Sequence, residues 1–151
     1  HARAARRAAR RSDRVMTGVV LAPYHRLVSQ ALATGDLDAL DDLFAPDVVD
    51  HSAGEVGVAA VRARVAALVS AFDGIRFTIT HSVADGNLLA GRGHITGMHT
   101  APFGAVPATG AVIDVEAVDV VRLDTDGRVA ERWGGIDRYA LLSQLGVIPA
   151  R

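Results

Sequence analysis

The sequence predicts an α+β domain in which helices come first and an antiparallel sheet follows. Apolar residues repeat with helical spacing through the first half of the chain, whereas the second half alternates apolar and polar residues with the period of two that strands show. Such segregation is typical of helices packed on one face of a curved sheet and not of a parallel α/β fold.

Three helices are predicted before the sheet. The first begins at Pro23, which suits the first helical turn, and Gly35 can end it. Asp36 caps a short second helix that Pro46 ends. A brief extended piece follows at 48–51. A third helix then covers about 58–72, and Asp73 and Gly74 end it.

Four strands in an antiparallel meander and a short closing helix follow. The strands are predicted at 77–83, at 88–98, at 113–123 and from the turn at 124–127 to 135, and the helix at 138–145. If Asp126 and Gly127 form a two-residue turn, counting back along both strands pairs Asp119 with Gly134.

Charge divides the chain into two parts. Residues 1–15 hold six arginines and Asp13, a net charge of +5, so the chain total of −1 leaves −6 from Met16 onward. We interpret 1–15 as an Arg-rich leader or an expression-derived tail, and 16–151 as a single domain. An acidic domain is expected to bind neither nucleic acid nor an anionic membrane.

Several kinds of site are not expected. The chain has no cysteine, which excludes disulfides, thiolate metal sites and a cysteine nucleophile. Its histidines lack metal-ligand spacing, and the glycines around Arg92 are not a nucleotide fingerprint, so we expect no metal and no cofactor. No apolar run approaches the roughly 18 residues of a membrane span, which favours a cytoplasmic location.

A set of short strings resembles the SnoaL-like polyketide cyclases of the nuclear transport factor-like superfamily. The strings are GDLDAL at 35–40, FAPD at 44–47, DH at 50–51, GMHT at 97–100, PATG at 107–110, DGRV at 126–129, ERW at 131–133 and LLSQLG at 141–146. The resemblance implies a cone-shaped fold, a deep cavity between the concave face of the sheet and the N-terminal helices, and homodimers formed through the outer face. It also implies a hydrophobic small-molecule ligand.

The resemblance also exposes a departure at the expected catalytic position. In the family, an aspartate directly after the position of Trp133 acts as acid and base in an aldol closure without metal or cofactor, but Gly134 stands there in this chain. The family's pocket histidine matches Asp119, a pocket glutamine matches Ala117, and a pocket asparagine matches Asp50. Asp119 is therefore the candidate catalytic acid, pointing into the space that the family's aspartate fills.

Each candidate site residue has a structural alternative. Asp119 could instead be a solvated acid on the outer face, or an ion-pair partner of Arg92 or Arg132. The other candidates are predicted substrate contacts. For Asp50 with His51 the alternative is a turn or helix-cap pair before Ser52, and for Trp133 it is plain core. For His94 the alternative is an exposed strand pair, and for Asp137 it is the N-cap of the closing helix.

Three functions remain open from the sequence. The first is a cofactor-independent SnoaL-like enzyme that cyclises or isomerises a hydrophobic, carbonyl-bearing molecule such as a polyketide, with Asp119 as acid and base. The second is a non-catalytic small-molecule-binding protein of the same fold, in which glycine in place of the catalytic aspartate at position 134 indicates that catalysis has been lost. The third is an epoxide hydrolase, which on this fold employs two aspartates and an arginine around a water.

Overall fold

The computed structural model describes Tyr24 and residues 26–150. Helix α1 comprises Tyr24 and residues 26–34, and the later helices are α2 (Ala39–Leu43), α3 (Val58–Ala71) and α4 (Arg138–Gln144). The strands are β1 (Phe44–Asp50), β2 (Glu55–Val56), β3 (Phe72–Asp85), β4 (Leu88–His99), β5 (Val112–Leu123) and β6 (Val129–Ile136). The predictions about residues 1–15 and Pro23 fall outside the described residues.

The strands form one curved sheet in the order β2-β1-β6-β5-β4-β3, with helices on one side. Strands β3 to β6 are the predicted antiparallel meander, so the α+β prediction is confirmed. The sheet is larger than expected, because β1 adds in parallel to β6 and β2 adds to β1. Phe44, predicted at the end of a helix, pairs with Val129 instead.

The β5–β6 hairpin has the predicted register but a different turn. Asp119 lies opposite Gly134, as counted from the sequence. The loop is longer than two residues, since the N–H of Asp124 donates to the carbonyl of Arg128. A register shift next to Leu123 compensates for the longer loop. The predicted pairing of Asp119 with Gly134 is therefore confirmed, although the predicted two-residue turn is wrong.

The two faces of the sheet differ in environment. On β5, alternate residues from Ile113 to Val121 are buried beneath the helices, whereas Val112 and Val118 on the opposite face are 69% and 47% exposed. Asp119 belongs to the buried set. This face is the concave wall of the site, and a homodimer through the outer face stays a prediction.

Candidate functional site

A cavity of about 410 Å³ lies between the concave face of the sheet and helices α1 and α3. Its walls are mostly apolar side chains from α1, α3 and strands β3 to β6: Val28, Leu32, Val61, Val65, Leu68, Phe77, Ile95, Ala117 and Ile136. Its polar lining includes Tyr24, Asp119 and Arg132. An apolar cavity of this size with a few polar groups is the usual form of a small-molecule site.

Asp119 meets Tyr24 inside this cavity. The Tyr24 hydroxyl donates to Oδ2 of Asp119 at 2.6 Å, and the two residues are only 4% and 6% exposed. Burial, followed by the charge of Asp119, raises the pKa of Tyr24 well above its usual value of 10. Tyr24 therefore stays a neutral hydrogen-bond donor, and one carboxylate oxygen of Asp119 is held against it.

A second buried carboxylate, Asp50, binds two arginines of the cavity lining. Asp50 is 2% exposed and accepts from Arg64 and Arg132, each at 2.7 Å, as well as from the backbone N–H groups of Ser52 and Ala53 at 3.0 Å. Burial alone would raise the pKa of Asp50, but these donors, with Arg132 foremost, outweigh it and lower the pKa. Asp50 is thus an ionised anchor for Arg64 and Arg132.

Gly134 is tightly enclosed by the neighbouring strand. A Cβ atom built at this position would lie 2.5 Å from the carbonyl oxygen of Val118 and 2.9 Å from the Cβ of Asp119. Its N–H donates to the Ser52 hydroxyl at 2.6 Å. No side chain fits at Gly134 unless the β5 and β6 backbones separate, so the carboxylate at this level of the sheet has to come from Asp119.

The rings of His51 and Trp133 stack on each other. Their ring centroids are 4.7 Å apart and the planes are inclined by 4°. Nε2 of His51 lies 3.3 Å from a carboxylate oxygen of Glu131. Trp133 pairs with Val120 and therefore points away from the face that carries Asp119. The described residues that line the cavity include neither His51 nor Trp133.

The remaining candidates also lie outside the described lining. His94 is on the outer face of β4, with Nδ1 at 2.7 Å from Asp114. Asp137 accepts from the N–H of Ala140 and caps α4, which is the structural role that its position suggested. Asp119 is thus the candidate that lines the cavity. Asp50 binds two arginines of that lining, Arg64 and Arg132.

The polar lining of the cavity includes residues that were not predicted as site residues, among them Tyr24 and Arg132. Tyr24 lies at the start of the predicted first helix, and nothing local indicates that its hydroxyl reaches a residue 95 positions later. Arg132 was detectable, because it shares the parity of Gly134 on β6 and hence its face. The same alternation shows why Trp133 cannot share that face.

In the described part of the chain, no group of three histidine, aspartate or glutamate side chains is arranged to hold a metal ion. No helix among these residues is both long and apolar enough to cross a membrane.

Comparison with protein families decides the relationship of the chain. Residues 23–145 match the model described as SnoaL-like polyketide cyclase. The chain belongs to the SnoaL-like polyketide cyclase family. This membership supports a cyclase-type function in general terms. A comparison with curated proteins finds no match.

Solved structures share the SnoaL-like fold over most of their length. TsrD from Streptomyces laurentii is 23% identical, with a TM-score of 0.80 over 86% of this chain and 97% of that chain. AclR from Streptomyces galilaeus, named as a candidate hydroxylase, is 25% identical with a TM-score of 0.74 over 86% and 85%. IdmH from Streptomyces antibioticus, named as a candidate polyketide cyclase, is 26% identical with a TM-score of 0.72 over 83% and 97%.

Proposed function

We propose that this SnoaL-like protein is a cofactor-independent enzyme that cyclises or isomerises a hydrophobic, carbonyl-bearing small molecule, with Asp119 transferring the proton. One observation carries the proposal: a 6% exposed carboxylate lines a largely apolar cavity and is oriented by the Tyr24 hydroxyl. Proton transfer needs such a carboxylate within reach of the substrate and shielded from bulk water.

The proposed reaction begins at a carbon next to a carbonyl. Asp119 takes a proton from that carbon, the C–H electron pair becomes the new C=C bond, and the carbonyl oxygen takes the negative charge. In cyclisation, the nucleophilic carbon then attacks a second carbonyl of the same molecule, and the protonated Asp119 gives its proton to the resulting alkoxide. In isomerisation, Asp119 returns the proton to another carbon. Neither reaction requires an oxidant or a reductant.

Removing the charge of Asp119 tests the proposal. The Asp119→Asn variant should lose turnover by about 10²- to 10⁴-fold, the usual contribution of a general acid or base. The readout is exchange of α-hydrogens for deuterium in D₂O, followed by NMR, with a tricyclic aromatic β-keto ester as the probe.

The matched control changes an acid on the same strand. Asp114 lies on the outer face of β5 beside His94, so Asp114→Asn should exchange at the wild-type rate. Circular dichroism should show that both variants fold. Wild-type exchange in folded Asp119→Asn would refute the role of Asp119.

A non-catalytic binding protein is the second candidate, and Gly134 is the observation that favours it. The family's catalytic position holds no acid, and the backbone of Val118 leaves no space for one. A binding protein should hold the β-keto ester with no hydrogen exchange above the rate in buffer. Accelerated exchange that requires Asp119 would exclude this candidate.

Epoxide hydrolysis has less support. It would need a second aspartate that can donate a proton to the opening epoxide. Asp50 is the other buried aspartate of the described residues, but four donors surround it and its pKa is lowered. A carboxylate held in its ionised form is a poor proton donor.

A further inference from the structure

Arg132 places a positive charge in the same cavity as Asp119. It lies on β6 two residues before Gly134 and opposite Val121, so its side chain is on the concave face. Arg132 lines the cavity together with Tyr24 and Asp119, and its side chain is only 23% exposed. Arg132 is therefore a cation with limited access to solvent, next to the candidate proton acceptor.

The carboxylate of Asp50 fixes the orientation of the Arg132 side chain. Its Nη1 donates to Asp50 at 2.7 Å, and Asp50 is held in turn by Arg64 and by two backbone N–H groups. Because a guanidinium carries five N–H donors, this anchoring leaves others that can reach a ligand. A preorganised donor of this kind needs little rearrangement when charge develops nearby.

Arg132 also remains charged despite its burial. Burial alone would lower its pKa, but interactions with Tyr24, Asp50 and Asp119 more than offset that effect and raise the pKa. The guanidinium is therefore a permanent positive charge of the cavity.

The geometry points to Arg132 as a second catalytic residue, which binds the enolate oxygen formed when Asp119 removes the substrate proton. This inference rests on the proposed function, because it assigns a partner to the carbanion chemistry of the same cavity. It narrows the substrate to molecules whose carbonyl oxygen can reach Arg132 while the adjacent C–H faces Asp119.

Charge conservation in the cavity supports this assignment. Before the reaction, Arg132 is bonded to Asp50 and shares the cavity with the carboxylate of Asp119. When Asp119 takes up the proton it becomes neutral, and the same negative charge appears on the substrate oxygen. Arg132 then loses one nearby anion and gains another, so the net charge of the enclosed site does not change. Fixed groups that stabilise developing charge often lower the activation barrier more than any other catalytic device.

A phenol probe tests the assignment without turnover. In Asp119→Asn, the amide imitates the neutral carboxyl of the intermediate, and bound 2-naphthol offers an aromatic oxygen that is either neutral or anionic. If Arg132 binds the oxyanion, the pKa of naphthol bound to Asp119→Asn should fall below its value in water by about 1 to 3 pH units, as for an acid beside an arginine. An apolar cavity without such a cation would raise it. Ultraviolet absorbance of the naphtholate reports the value.

Removal of the guanidinium completes the test. Adding Arg132→Met to Asp119→Asn should reverse the lowering, whereas Arg122→Met, which removes an outward arginine paired with Glu131 on the next strand, should retain it. If the Arg132→Met protein does not fold, Arg132→Lys replaces it and should give a smaller lowering, because a point charge on a different stem cannot keep both contacts.

Two results would overturn the inference. The first is a raised naphthol pKa in Asp119→Asn, and the second is a lowering that persists unchanged without Arg132. Neither bears on the loss of hydrogen exchange in Asp119→Asn, so failure of this inference is distinguishable from failure of the proposed function.

Discussion

At the scale of single residues, the hydrogen bond between Tyr24 and Asp119 is the contact that turns a buried acid into a candidate reactive group. Burial of an unpaired carboxylate is costly, and the 2.6 Å bond from a phenol that stays protonated reduces that cost. The bond also links α1 to β5, so the position of the helix and the orientation of the carboxylate depend on each other.

Replacing Tyr24 by phenylalanine should destabilise the protein by about 1.5 to 3 kcal/mol near neutral pH, the usual range for a hydrogen bond to a charged group. The contribution from the raised pKa of Tyr24 is complete below pH 10 and is lost as the pH rises through the pKa in the folded state. Tyr24→Phe should therefore show a shallower loss of stability above pH 10, measured by urea unfolding from pH 8 to pH 11.

The matched control for Tyr24→Phe is Tyr139→Phe. Tyr139 is exposed, and its hydroxyl donates to the backbone carbonyl of Pro149 at 3.2 Å. A loss of stability as large in the control as in Tyr24→Phe would contradict the role assigned to the Tyr24 hydroxyl.

At the scale of elements, the close approach of β5 and β6 determines which of the two strands can carry an acidic side chain at this level of the sheet. The space beside Gly134 is filled by the backbone of Val118 and by Asp119 itself, whereas a Cβ at Gly135 would meet no atom within 4 Å. The two adjacent glycines therefore differ: Gly134 is required by packing, and Gly135 is not.

This difference predicts opposite results for two alanine substitutions. Gly134→Ala should destabilise the protein by about 1 to 3 kcal/mol, as overpacking in a dense region does, because the methyl group meets rigid backbone. Gly135→Ala should change stability by less than about 0.5 kcal/mol, as exposed substitutions do. Urea unfolding of both variants at one pH gives the comparison, and equal effects would show that the strands separate easily.

Alternation along the strands was sufficient to predict part of the site. It placed Asp119 opposite Gly134, and this pairing is confirmed. The contact with Tyr24 could not be predicted, because it depends on how α1 packs across the sheet. The ion pairs around Asp50 were equally hidden, since Arg64 comes from α3 and Arg132 from a parallel neighbour strand.

At the scale of the whole molecule, local sequence predicted the meander, while the other sheet edge depends on long-range pairing. Strands β3 to β6 follow one another with turn residues between them, so neighbours in sequence are neighbours in the sheet. Strand β1 pairs with β6, about 80 residues later, and contains Pro46. Its seven residues resemble a helix end followed by a short extended piece. The parallel pairing brings Asp50 next to Arg132.

That pairing makes Asp50 a test of how the fold depends on pH. The pKa of Asp50 is lowered below its usual 3.8 in the folded state, so its contribution to stability is present above about pH 4 and is lost as the pH falls through the folded value. Asp50→Asn removes the buried anion that Arg64 and Arg132 share and should cost about 3 to 5 kcal/mol at pH 7.

The difference between the wild type and Asp50→Asn should shrink as the pH falls from 5 to 2.5, because the wild-type carboxyl then binds a proton as well. Urea unfolding at several pH values measures it. Asp47→Asn, an exposed change on the same strand, serves as the control and should stay close to the wild type throughout. If the cost of Asp50→Asn did not depend on pH, the buried ion pairs would not be what joins β1, α3 and β6 around the cavity.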